Sequence, residues 1–116
     1  MRRTTLAAVA VAFMLVPTIV NANEFTIRGA GVASCGNFIQ QRNNRTAHLH
    51  WIMGYVTGVN VFRTSFLGEG ASVDVLNGVD IDAIELWITN YCTENPLETV
   101  SDATLALVVE GMKQQK

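Results

Sequence analysis

The sequence predicts a small all-α protein, a four-helix orthogonal bundle stapled by one disulfide. Apolar residues recur at helical spacing in four successive stretches, with capping and breaking residues between them. A short loop at 93–96 joins the last two stretches, which places them side by side. Two cysteines, Cys35 and Cys92, lie far apart in the chain and supply the staple.

The N-terminus has the layout of a secretory signal peptide. Arg2 and Arg3 form a positive start, Leu6 to Val20 is an apolar run containing Pro17, and Val20-Asn21-Ala22 places small residues where a signal peptidase cuts. Fifteen apolar residues with a proline fall short of the roughly 20 that span a bilayer. The expectation is a signal peptide over 1–22, a single helical domain over 23–116, and a periplasmic or secreted location. That domain has 94 residues, 6 basic and 10 acidic, for a formal charge of −4. It is small enough to need a staple or a partner. Mild acidity without a basic cluster argues against nucleic acid. No second uninterrupted apolar run follows, so no membrane span is expected after cleavage. An even cysteine count in an exported chain reads as a disulfide. Closing a loop of 57 residue steps, it stabilises by about 4 kcal/mol in the chain-entropy model.

Residues 23–33, with two glycines and no helical period, read as an extended or loose lead-in. Ser34 caps a first helix to about Arg42, with Cys35, Phe38 and Ile39 inward. "NNR" at 43–45 breaks it. The second helix covers about Thr46 to Phe66. At 100° per residue, Ala47, Trp51, Gly54, Gly58, Val61 and Ser65 form a mostly small stripe. His48, Tyr55, Phe62 and Phe66 form an aromatic one beside it. The glycine-punctuated stretch 67–80 is a connection whose Val73, Val75, Leu76 and Val79 pack back as a short extended piece. A third helix starts near Asp80 to Asp82, with Asp82 and Glu85 as a capping pair and Ile81, Ile84, Ile88, Tyr91 and Trp87 as its apolar side. Asn95-Pro96 ends it and starts a fourth, with Asn95 as N-cap and Glu98 as the reciprocal cap. Leu97, Val100, Thr104, Leu107, Val108 and Met112 line its inner face.

His48 and His50 point about 200° apart on a helix and cannot share a metal. With both cysteines in the disulfide, no ligand set remains, so neither a metal nor another cofactor is expected. Either histidine can sense pH. Gly54 and Gly58 each cost about 1 kcal/mol in a helix interior. The expected offset is close packing of another helix, the third or fourth, on the stripe they share with Trp51. Asp80, Asp82 and Glu85 sit where a helix dipole favours negative charge. No nucleophile elbow, phosphate loop or metalloprotease motif occurs, so the expectation is a non-enzymatic protein. Its partner is another protein or a second copy of itself. The polar side of the second helix, His50, Thr57 and Asn60, is the candidate partner-binding surface, with the 67–80 loop.

Three segments, "SCGNFI" (34–39), "WIMGYVTGVN" (51–60) and "WITNYCTENPLETVSDATLALV" (87–108), together resemble the HdeA-type acid-stress chaperones, small exported helical proteins. In that family an early cysteine in a short helix pairs with one near the end of a later helix, and Cys35 and Cys92 match that pair. The "GYVTG" and "YCTENP" segments are also similar to Tai-type immunity proteins of type VI secretion, which bind and block a toxin. The first resemblance implies binding of unfolding clients in acid, where the domain swings from about −4 to about +8. Self-repulsion then loosens it while the disulfide limits unfolding. The second implies a preformed surface that holds one partner at neutral pH.

Overall fold

The computed structural model describes residues 25–68 and 74–115. The expected signal peptide lies outside them. Among the described residues are a one-turn 3-10 helix (Gly29–Val32), four α-helices and no strand, apart from one antiparallel bridge between Ser34 and Thr99. The expected all-α fold and the Cys35–Cys92 disulfide are both present.

The Ser34 hydroxyl accepts a hydrogen bond from the Asn37 N–H and starts α1 (Cys35–Gln40). Cys35 and Phe38, on its inner side, are fully buried. After the 41–44 turn, α2 (Thr46–Phe66) runs for 21 residues, with the bounds its pattern predicts. Only His48, Ile52 and Val56 of this helix are buried. It packs on the fourth helix and on the 3-10 helix. The lead-in is therefore not loose. Trp51 donates its indole N–H to the Arg28 carbonyl at 2.7 Å, and a Cβ on buried Gly31 would overlap the indole ring.

Residues 74–79 form a turn rather than an extended piece. Val75 and Leu76 are buried and Val79 is exposed; Val73 lies outside the described residues. α3 (Ile81–Glu94) is capped by Asp80, whose carboxylate accepts from the Ala83 N–H at 2.8 Å. The expected Asp82–Glu85 pair does not cap it. Asp82 falls inside the first turn, and Glu85 is turned to Arg45. α4 (Val100–Gln114) also starts later than Asn95-Pro96 suggests. Thr99 is the N-cap, in a reciprocal box with Asp102. Residues 96–98 stay non-helical because their carbonyls face α1. Cys35 N–H donates to the Glu98 carbonyl at 2.7 Å and Gly36 N–H to that of Pro96 at 3.0 Å. These bonds satisfy α1's orphan amides, which a helical 96–98 segment could not do. Leu97, expected inward, is left exposed.

Phe38, Ile52, Val75, Ile84, Ile88, Val100, Thr104 and Val108 fill the core around the disulfide. Like Gly31, Gly111 allows close approach between elements: a Cβ there would overlap the Val75 carbonyl. Gly54 and Gly58 do not serve that purpose within the chain. A Cβ at either would meet nothing within 4 Å, and both face outward. The expected third- or fourth-helix contact fails because α2 turns the opposite side, Ile52 and Val56, to the core.

Gly111→Ala is expected to destabilise by about 1–3 kcal/mol through overpacking, against a helix-propensity gain of about 1 kcal/mol. Urea denaturation measures the net loss. Replacing Cys35 and Cys92 together by serine is expected to lower the same midpoint, by about 4 kcal/mol of stability.

Candidate functional site

Arg45 immediately precedes α2, where a helix dipole disfavours a cation. It is nevertheless buried, because α1 and α3 supply three acceptors. Its Nε donates to the Phe38 carbonyl at 3.1 Å. Its Nη1 donates to Glu85 Oε1 at 3.1 Å and to Thr89 Oγ1 at 2.9 Å. The guanidinium carbon lies 4.3 Å from the centre of the Phe38 ring, in cation–π contact. Arg45 thus ties the end of α1 and the start of α2 to the middle of α3. Glu85 is only partly buried, and removing it would leave the buried Arg45 charge without its carboxylate.

His48, one turn further on, meets the Phe38 ring edge-on, with centres 5.6 Å apart. It is 5% exposed, and its Nδ1 is buried without a hydrogen-bond partner. Burial, and then the Arg45 charge, hold the imidazole pKa below its ordinary value of 6.5. A neutral ring fits the site; a proton there would add a second cation beside Arg45. Tyr91 is perturbed in the other direction. Its hydroxyl donates to the Glu98 carboxylate, and chiefly for that reason its pKa is pushed up to about 12.

The three polar residues expected on the second helix differ in role. His50 and Thr57 are exposed, and the Thr57 hydroxyl donates back to the Met53 carbonyl at 2.8 Å. Asn60 ties the 74–76 turn down: its amide donates to Asp74 Oδ1 at 3.0 Å and accepts from the Val75 N–H at 3.1 Å. Trp51 is held against the 3-10 helix, while Gly54 and Gly58 lie open beside it.

The aromatic stripe of α2 changes environment along its length. His48 is buried, and Trp51 and Tyr55, with ring centres 5.5 Å apart, are half-buried. Phe62 and Phe66 stack on each other at 5.4 Å but are 52% and 75% exposed. Val61 and Leu67 beside them are also more than half exposed. A groove of about 410 Å³ runs along Trp51, Gly54 and Tyr55, with residues 26–28 as its other wall. A second cleft, of about 590 Å³, lies between the 75–79 turn, α3 and the end of α4. Its floor is Val75, Leu76, Trp87 and Leu107, with Glu110 and Gln114 at the rim.

Among the described residues, no group of three His, Cys, Asp or Glu side chains converges to hold a metal, and no helix is long and apolar enough to cross a membrane. Arg45 escaped the sequence reading because its carboxylate and hydroxyl partners lie 40 and 44 residues away. No family model, curated protein or solved structure matches the chain.

The His48 site fixes a pH dependence. Between pH 6.5 and the lower pKa in the fold, the unfolded chain holds a proton that the folded one does not. Stability therefore falls as pH drops through that window. His48→Phe is expected to remove this part of the slope. It should shift stability at pH 7 by no more than about 1.5 kcal/mol, as a near volume-conserving change. Denaturation midpoints of both proteins at pH 7.5, 6.5, 5.5 and 4.5 measure the difference.

Proposed function

We propose that the chain is a non-enzymatic, exported protein-binding domain of the HdeA type, which keeps unfolding client proteins in solution in acid. In this reading residues 1–22 are a cleaved signal peptide, the protein acts in the periplasm or outside the cell, and its helices pack as an orthogonal bundle. The observation that carries the reading is His48, enclosed without a partner for Nδ1 and next to a buried cation. The groups that face it are the Phe38 ring from α1 and Arg45 from the start of α2; Arg45 in turn is neutralised by Glu85 of α3. Acid protonates His48 beside the buried Arg45. Two cations then share one interior, and the junction of α1, α2 and α3 loosens. The disulfide keeps α1 attached to α3, so loosening exposes apolar surface without releasing the whole chain.

The alternative is an immunity or inhibitor protein with a preformed surface for one toxin or enzyme. The exposed His50 and Thr57 support it. Asn60 supports it less, because both ends of its amide are used to hold the 74–76 turn.

The test is light scattering of the 23–116 protein at pH 7 and pH 3, with an acid-aggregating client in a parallel sample. The expected result is a loosened particle at pH 3 and a client kept in solution. A compact, unchanged particle that leaves the client to aggregate would overturn the chaperone reading.

A further inference from the structure

Asn77-Gly78 is the single Asn-Gly pair of the chain. The backbone nitrogen that follows an asparagine can attack the side-chain amide, and a glycine there puts no Cβ in the way. Asparagine counts among the thermolabile residues. The fold decides whether a given pair reacts, by holding the two groups apart or leaving them free.

Here they are left free. The Val79 N–H donates to the Leu76 carbonyl at 2.9 Å and closes a tight turn with Asn77 and Gly78 at its centre. Both residues are exposed, and Gly78 has a φ of 76°. A Cβ built at Gly78 would meet nothing within 4 Å, so no neighbouring element crowds the reacting atoms. Among the described residues, no hydrogen bond occupies the Asn77 carboxamide or the Gly78 N–H. Rotation about the bond between Asn77 Cα and its carbonyl carbon, which brings the two groups together, is resisted chiefly by the Val79–Leu76 bond. Other asparagines are better protected. Both ends of the Asn60 amide are engaged, and Val61 follows it. The Asn95 amide donates to the Tyr91 carbonyl at 2.9 Å, and the proline after it has no N–H. Asn43 and Asn44 are exposed in the 41–44 turn, but bulky residues follow both.

The turn has little room for a product. Val75 and Leu76 are buried, and the Val75 carbonyl lies against Gly111. Asn77 also lines the cleft of about 590 Å³ that this turn forms with α3 and α4.

We propose that Asn77 is a site of spontaneous deamidation by the Gly78 nitrogen, and that the isoaspartate formed weakens the hold of the 74–79 turn on the core. The Gly78 N–H gives up its proton, its nitrogen bonds to Asn77 Cγ, and the Cγ–Nδ2 bond breaks. Nδ2 leaves as ammonia with that proton. Water then opens the five-membered imide, at Cγ to give aspartate or at the main-chain carbonyl carbon to give isoaspartate. Water is the only co-reactant. Either product places a negative charge between Asp74 and Asp80, at the mouth of the cleft. Isoaspartate also puts an extra carbon into the main chain of a turn closed on both sides. None of this rests on the chaperone reading.

Peptide mapping by mass spectrometry of folded 23–116 protein, aged at pH 7.5, reads amide loss at each asparagine and identifies isoaspartate by its fragment ions. The expected loss at Asn77 is at least tenfold faster than at Asn43 or Asn44, a barrier lower by about 1.4 kcal/mol. Its rate is expected to rise with pH, because the attacking nitrogen must be deprotonated. Aged protein is expected to unfold at lower urea than fresh protein. Asn77→Gln, whose imide would need a larger ring, is expected to match fresh wild type and to lose no midpoint on ageing. A sample aged in guanidinium chloride separates the effect of the fold from that of the sequence. Three outcomes would each overturn the proposal. One is Asn77 as long-lived as Asn43 and Asn44. Another is conversion about tenfold or more faster in the unfolded chain than in the folded one, which would mean that the turn protects the pair. The third is an isoaspartate form with an unchanged urea midpoint.

Discussion

The fold depends on a short lock between residues 33–36 and 92–100. Cys35 and Cys92 are covalently joined. Around that bond run three backbone hydrogen bonds: Cys35 to Glu98, Gly36 to Pro96, and Val100 back to Ala33. Each satisfies a helix-start amide that would otherwise be buried or left to water. The first two belong to α1 and take carbonyls of the 96–98 turn, while the third belongs to α4 and takes the Ala33 carbonyl, so each segment caps the helix that follows the other. A six-residue helix such as α1 has no stability of its own. It exists here because its first turn is anchored to the turn between α3 and α4, and because Phe38 is sealed in the core beneath it.

From that lock, order spreads through Arg45. Its guanidinium reaches back to the Phe38 carbonyl and across to Glu85 and Thr89, so the start of α2 is fixed by α1 and α3 together. The far half of α2 has a different support. Asn60 grips the 74–76 turn there, and Gly111 lets α4 approach the same turn closely. One side of α2 is thus held along its length. The side bearing Gly54, Gly58 and Phe62 is covered only as far as the 3-10 helix reaches.

The two features with functional weight follow from this asymmetry. At the anchored end, the packing that buries Arg45 also encloses His48, and a titratable ring is held where a proton is unwelcome. At the overhanging end, a helix long enough to pass the core carries its aromatic stripe into solvent. The enclosed histidine and the exposed aromatic rings are consequently separate in space, one at each end of a single helix.

Much of this architecture can be read from sequence. Helical period alone places α2 at Thr46–Phe66, and the Ser34 side chain marks the start of α1, because both depend on neighbours within a few residues. An even cysteine count behind an export-like N-terminus leads to the disulfide. What needed the tertiary structure was every feature set by residues distant in sequence. Asn95, Pro96 and Glu98 have the local chemistry of a helix start, yet their segment stays a turn because α1 takes its carbonyls. Gly54 and Gly58 have the spacing of a packed seam, but burial of Ile52 and Val56 rotates them outward; Gly31 and Gly111, without such a pattern, are held close. Likewise, the sequence determines that His48 and Phe62 lie on one aromatic stripe, since side chains seven and four residues apart share a helix face. Only packing decides that the first is enclosed beside a buried arginine and the second is open to solvent, because burial depends on where the other helices end.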